Sequence, residues 1–225
     1  MAKAGISIAD IAAGVTAYHS ILAALLHRHG TGIGDHIEVS MLEAMAEWMG
    51  FPMYFALDGA SPPPRAGAGH ATIYPYGPYA TADGSVFFGL QNDREWTAFA
   101  DIVLKRPDMA ADERFRGNSG RASNRDLIEP VLVAKLEALP TSKAMARLEA
   151  AGIGTARVND MAALWAHPQL GARDRWSAFD TPAGRLPALK PITGRNWEPR
   201  IDPVPALGEH NEAILSELGV AAGGI

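Results

Sequence analysis

Apolar residues at Ile8, Ile11, Val15, Tyr18, Leu22, Leu25 and Leu26 recur at steps of three and four, which predicts a helix from Ser7 to Leu26. His27, Arg28 and His29 load its end with donors and positive charge, and Gly30 is placed to stop it. After a turn at Thr31–Asp35, His36 to Ser40 alternates polar and apolar positions, the pattern of a short strand. Helical spacing returns from Met41 to Leu57 through Leu42, Met45, Trp48 and Met49, with Pro52 expected to kink it. Further on, Gly77–Ala80 and Ser85–Leu90 flank Thr81-Ala-Asp-Gly84 and read as a hairpin. Asn92 or Asp93 is expected to cap a helix reaching Leu104, and Pro107 to Phe115 reads as a short helical turn. An amphipathic stretch from Asn124 to Leu139 is expected to be interrupted at Pro130. Thr141-Ser142 opens a helix to Ala151 that Gly152 ends. Arg157-Val158 is strand-like, Asn159 or Asp160 opens a helix to Ala166, and Pro168–Ala172 is one turn. Trp176–Phe179 and Arg185–Leu189 should pair around Thr181–Gly184, and Leu207 to Leu218 reads as a closing helix.

These elements group into an α/β reading with several parts. Residues 1–57 form helix–strand–helix, part of a larger α/β layer, because one short strand cannot make a sheet alone. Residues 58–73 are a linker or lid, 74–190 a small α+β domain, and 191–225 a tail expected to return to the first unit. The segment between the first two units is unusual. Ser61-Pro-Pro-Pro64 is stiff, Arg65-Ala-Gly-Ala-Gly-His70 is small and mobile, and Ile73 to Tyr79 is aromatic and poor in amide donors. A long loop in a compact domain usually serves function.

Composition narrows the chemistry. The 225 residues are 48% hydrophobic and 20% charged, enough for a substantial core, and the net charge is -5. That balance argues against a broad nucleic-acid or anionic-membrane surface. With no cysteine, the chain has no disulfide, thiolate nucleophile or Cys-ligated metal site, a usage compatible with a cytoplasmic protein. The sequence lacks an uninterrupted apolar run of membrane-spanning length, so no transmembrane helix is expected, and Met1–Gly5 does not read as a signal peptide. No P-loop, dinucleotide fingerprint, H-E-x-x-H or G-x-S-x-G motif occurs.

Two stretches carry candidate chemistry. Asp10 lies in the first turns of an apolar helix among Ala9, Ala12, Ala13 and Gly14. Its plain role is to cap or match the helix dipole. Its chemical role would be a carboxylate nucleophile, with small neighbours admitting an acyl group and helix amides near developing negative charge. The second is the loop with Gly67, Gly69, His70, Tyr74, Tyr76 and Gly77, a linker in the plain reading and a water-excluding lid in the functional one. His27 and His29 do not share a helix face and read as a solvated helix end, and no metal site is expected. His167 precedes Pro168 and reads as a cap or packing residue, and the five tryptophans read as core or interface residues.

Gly5-Ile-Ser-Ile-Ala-Asp10-Ile-Ala-Ala-Gly14, then Ile21–Leu26, Thr31–Gly34 and Ile37–Ala44, resembles the class III CoA-transferases, the CaiB/BaiF family of formyl-CoA and carnitine-CoA transferases. Arg65-Ala-Gly, Tyr79–Gly84, Ala151-Gly-Ile153, Ala166–Leu170, Leu207–His210 and Ile214–Gly219 follow in the family's order, so the resemblance covers essentially the whole chain. It implies transfer of CoA between an acyl-CoA thioester and a free carboxylic acid. In such enzymes an aspartate at the position of Asp10 attacks the thioester, giving a mixed anhydride and then an aspartyl-CoA thioester. A glycine-rich loop, here Gly67 to Gly77, closes over these intermediates, although this chain lacks the run of consecutive glycines of formyl-CoA transferases. The resemblance implies no permanently bound cofactor; CoA thioesters are substrates. The aromatic Ile73–Tyr79 stretch looks like the branch acting on dicarboxylic acids such as succinate, mesaconate or citramalate.

Family members also carry a Rossmann-like half ahead of the aspartate and form interlocked dimers. The chain opens nine residues before Asp10, so the resemblance implies a C-terminal portion that pairs with an N-terminal half, a second protomer or both. The family's nucleotide-contact residues would then precede Met1; Lys3 and Arg28 are the local cations that could assist. Two alternatives stand beside this reading. In the related α-methylacyl-CoA racemases the same aspartate acts as a base at the α-carbon. An inactive fragment or interaction subunit would instead expose the apolar faces of 8–26 and 42–57.

Overall fold

The computed structural model describes residues 4–62, 65–192, 194 and 196–220. Lys3 and the Pro63-Pro64 part of the stiff stretch lie outside the described residues. The fold is mixed α/β with two small antiparallel sheets, and the chain divides once into compact units, Met1–Arg157 and Val158–Ile225.

The first unit begins with α1 (Ile8–Thr31), longer than its periodicity predicted. Gly30 does not stop it. Gly32 does, adopting φ 74° and donating its amide to the Arg28 carbonyl, while Thr31 turns its hydroxyl back onto the His27 carbonyl. A left-handed residue is what closes a helix, and Gly32 takes that conformation without steric cost. At roughly 36 Å, α1 is long and apolar enough by length and composition to cross a membrane, against the sequence expectation. The polar residues that break its apolar run do not offset its many Ala, Leu and Ile residues. Of its side chains only Ala12 is buried; Ile11, Val15, Tyr18, Ile21, Leu22, Leu25 and Leu26 are exposed.

His36 to Ser40 does not form a strand. The backbone carries the alternation expected of one, with Ile37 and Val39 less exposed than His36, Glu38 and Ser40, but no neighbour completes a ladder among the described residues. The Ser40 hydroxyl then caps α2 (Met41–Trp48) by accepting from the Glu43 amide. The break in the following helix falls at Met49 rather than at Pro52, which sits inside the short α3 (Gly50–Tyr54). Near the start of a helix proline has no hydrogen bond to remove.

The hydrophobic core lies further along. Strand β1 (Tyr76–Thr81) pairs with β2 (Gly84–Gly89) in the expected hairpin, Thr81 opposite Gly84, and β2 pairs with β3 (Thr155–Arg157). Val86, Phe88 and Leu90 point from this sheet into a core closed by helices. One is α4 (Asp93–Ala98), capped by Asn92 and continued as a wider turn to Leu104. Then come α5 (Pro107–Ala111), α6 (Gly117–Ser123), α7 (Arg125–Glu137) and α8 (Thr141–Ala150), of which α5, α7 and α8 bury Met109, Ile128, Leu132, Leu136, Ala144 and Leu148. A run of rings threads the core: Tyr79 to Phe88 at 4.9 Å, Phe88 to Phe99 at 5.3 Å, and Trp96 to Phe115 at 5.8 Å between centroids. Pro130 does not interrupt α7. It lies on the exposed side, so the Asp126 carbonyl it leaves without an amide partner can turn to water.

The hairpin turn holds a helix end. Asp83 Oδ1 accepts from both the amide and the hydroxyl of Thr141 at 2.7 Å, satisfying the first free donor of α8. These two bonds hold the Asp83 carboxyl below its ordinary range. A carboxylate lowered on folding stabilises above its unfolded value, and the benefit fades as pH falls through the lower folded value. Asp83→Ala should therefore lower the melting midpoint at about pH 7, with the gap to wild type closing below about pH 3.9. Thermal melts of both proteins across that range check this.

In the second unit Asp160 caps α9 (Met161–Trp165), and the His167 Nδ1 caps α10 (Pro168–Ala172) by accepting from Gln169. Strands β4 (Trp176–Thr181) and β5 (Gly184–Leu189) form the second hairpin, and Trp165 stacks on Trp176 at 4.6 Å. The closing helix α11 (Asn211–Glu217) starts later than its pattern predicted, leaving Leu207 fully exposed.

Candidate functional site

The aromatic loop lines a cleft of about 360 Å³. Its walls are Ala66, Ala68 and Gly69, then Tyr74 and Tyr76 to Tyr79, and Arg125, Asp126 and Glu129 of α7. The segment expected to be mobile is pinned from Gly69 onward. The Gly69 amide donates to the Ala66 carbonyl and the His70 amide to the Tyr76 carbonyl, so the loop doubles back on itself. That return brings two backbones together at the expected glycines. A Cβ on Gly77 would come within 3.2 Å of the Gly69 Cα, and one on Gly69 within 3.1 Å of the Tyr76 carbonyl oxygen. Gly67 takes φ 61°, which favours glycine. The Tyr76 ring lies over the opposing Gly89 of β2, where a side chain would occupy its space.

Helix α6 staples this loop from behind. Asn118 accepts from the Tyr74 amide at 3.0 Å and donates to the Thr72 carbonyl at 2.6 Å. Arg121, 1% exposed, donates Nε to the Tyr74 carbonyl at 3.2 Å and an NH1 proton to Asp93 at 2.7 Å. Its guanidinium also sits 5.6 Å from the Trp96 ring. The Tyr74 phenol donates to Glu129, and Arg125 lies over its ring at 4.9 Å.

Burial first, and then the bond to Glu129, push the Tyr74 phenol far above its ordinary value; burial and the Glu129 charge do the same for Tyr79. Both phenols therefore stay protonated at neutral pH, and the Tyr74 proton is the one given to Glu129. None of the four residues that shape the cleft from α6 and α7 (Asn118, Arg121, Arg125 and Glu129) was singled out in the sequence. Gly117-Asn-Ser-Gly120 has loop composition, and a charged residue gives no sign of burial before a structure exists. Among the described residues, no group of three or more His, Asp or Glu side chains is placed to hold a metal.

Asp10 is not part of this cleft. It is exposed, at the third position of α1, and its carboxylate forms no hydrogen bond among the described residues. The N-cap position belongs to Ser7, which makes no side-chain cap either, so Asp10 is not engaged as a cap. Around it the helix is thin: a Cβ on Gly14 would meet nothing within 4 Å.

The family model of CoA-transferase family III matches residues 1–211, a span that holds both Asp10 and the cleft. Among curated proteins the chain is 29% identical to a succinate–glutarate CoA-transferase of Agrobacterium fabrum, covering 96% of this chain and 54% of that one. It is 29% identical to a succinyl-CoA:mesaconate CoA-transferase of Haloarcula marismortui, covering 98% and 56%. Among solved structures, a CaiB/BaiF family protein from Brucella suis superposes with a TM-score of 0.75 at 30% identity, covering 96% of this chain and 57% of that one. The chain thus spans about half the length of the curated relatives it matches. With the family match running through α1, the pinned loop and most of the second unit, the chain belongs to CoA-transferase family III.

Proposed function

We propose that the chain takes part in the transfer of coenzyme A from an acyl-CoA thioester to a free carboxylic acid, with Asp10 as nucleophile. The family match across 1–211 is the observation that carries this reading. The Asp10 carboxylate attacks the thioester carbonyl and expels CoA thiolate, giving a mixed anhydride. The thiolate then attacks the aspartyl carbonyl and releases the donor acid, leaving an aspartyl-CoA thioester. The acceptor carboxylate runs the two steps in reverse, and no net proton is needed. An uncapped carboxylate at the positive end of a helix, with Ala9, Ala13 and Gly14 beside it, suits this role. The Gly67–Gly77 loop is the lid over these intermediates.

Relatives named for succinate, glutarate and mesaconate favour a dicarboxylic acid as acceptor or donor. The exposed apolar faces of α1 to α3 take a protein partner, an N-terminal Rossmann-like half or a second interlocked protomer, and a family match that runs through α1 favours this over a bilayer. Intact-mass measurement after mixing with succinyl-CoA should show a succinyl or CoA adduct that maps to Asp10. An adduct elsewhere, or exchange of α-carbon protons without any acid acceptor, overturns the reading.

A further inference from the structure

The loop that lines the cleft is organised around one imidazole. His70 Nδ1 lies 3.1 Å from the Thr72 amide nitrogen and 3.1 Å from the Ile73 amide nitrogen, with the Thr72 hydroxyl at 3.4 Å. A backbone N–H can only donate, so Nδ1 has to present its lone pair and the ring proton has to sit on Nε2. The His70 amide meanwhile donates to the Tyr76 carbonyl at 3.1 Å, and the ring packs on Tyr76 at 5.1 Å between centroids. One residue thus ties the outgoing strand of the loop to the returning one and folds the two intervening amides inward. The next atoms along the chain, the Thr72 carbonyl and the Tyr74 amide, are those that Asn118 grips from α6.

We propose that His70 is the positioning residue of this loop, acting as an acceptor latch that closes only while its imidazole is neutral. Protonation puts an N–H where two N–H groups already point, so both bonds are lost and repulsion replaces them. The groups facing the ring are uncharged: Thr72 and Ile73 within the loop, Tyr76 on β1. Asn118, which holds Thr72 from α6, is neutral as well. Of the three α7 charges that line the cleft, Arg125 and Glu129 are engaged with Tyr74, and Asp126 forms no hydrogen bond or ion pair with His70 among the described residues. Nothing in these contacts compensates a second ring proton. Protonation of the ring therefore loosens the loop. His70 contacts no reacting group in this arrangement; its effect on the cleft passes through Thr72, Ile73 and Tyr74.

The latch itself is tested by NMR on the intact chain. Long-range proton–nitrogen spectra should show the Nε2–H tautomer of His70 near neutral pH. Hydrogen-exchange protection of the Thr72 and Ile73 amides, corrected for intrinsic rates, should fall at least tenfold between pH values at which the same spectra show the ring neutral and doubly protonated. His70→Asn keeps an acceptor close to the Nδ1 position and cannot titrate, so its protection should be flat over that range. His70→Ala should be unprotected at both ends. An Nδ1–H tautomer, or full protection in His70→Ala, overturns the proposal. The consequence for chemistry rests on the lid role proposed above and is read separately. If the lid role holds, the rate of acyl-adduct formation follows the same pH course in wild type and is flat in His70→Asn. Amides that behave as described beside an adduct rate that ignores them would remove the lid role and leave the latch standing.

Discussion

Asp10→Asn is expected to reduce CoA transfer at least about a thousandfold, with the melting midpoint unchanged. The substitution keeps shape and hydrogen-bonding capacity and removes only the nucleophilic oxygen anion. No anhydride can then form, and the donor thioester has no covalent route to the acceptor. Because the side chain is exposed and forms no hydrogen bond among the described residues, its replacement leaves no buried group unpaired. Asp10→Ala should behave the same way. The decisive comparison is initial transfer rate and adduct mass for wild type and both variants, alongside a melt. Turnover retained in either variant sinks the assignment of Asp10; loss of turnover together with loss of the fold would show a structural aspartate instead.

The largest effect on stability is expected at Arg121. Its side chain is 1% exposed and holds together three pieces of chain: the Tyr74 carbonyl, the more distant Phe115 carbonyl at 3.4 Å, and Asp93. Asp93 is itself 64% exposed, so the ion pair is not the main term. The main term is what the guanidinium leaves behind, two buried carbonyls without a donor. Arg121→Leu fills most of the space and none of the hydrogen bonding, and should cost about 3 kcal/mol. For a chain of this size that is roughly 6–12 °C in melting midpoint. Asp93→Ala should cost much less, because Asp93 can reach water. Urea titrations of the two variants check the order; equal losses would show that the ion pair dominates after all.

The sequence disclosed those parts of the fold in which one local rule decides the outcome. Periodicity placed the helix from Ile8, capping residues placed those from Thr141 and Met161, and Thr81-Ala-Asp-Gly84 set the register of the first hairpin through a two-residue turn. Where two rules compete, the reading slipped. Gly30 and Gly32 both suit a helix stop, and the backbone uses the second. Pro130 reads as a breaker until its exposure is known. His36–Ser40 has the alternation of a strand and, among the described residues, nothing to pair with. The cleft was half legible. Its glycines and tyrosines were visible as an odd composition, whereas the residues that brace it come from a helix written as Gly-Asn-Ser-Gly and from polar positions on α7.

Apart from the Thr72 hydroxyl 3.4 Å from His70 Nδ1, the bonds that Asn118, His70 and Arg121 make to residues 72–74 end on main-chain atoms: two amides and a carbonyl beside the Asn118 pair. Main-chain atoms are the same whatever the residue. The side chains at 72 and 73 can therefore drift over evolutionary time without loosening the frame that carries them. A laboratory library confined to Thr72 and Ile73 should therefore yield a high proportion of folded members with the cleft walls intact.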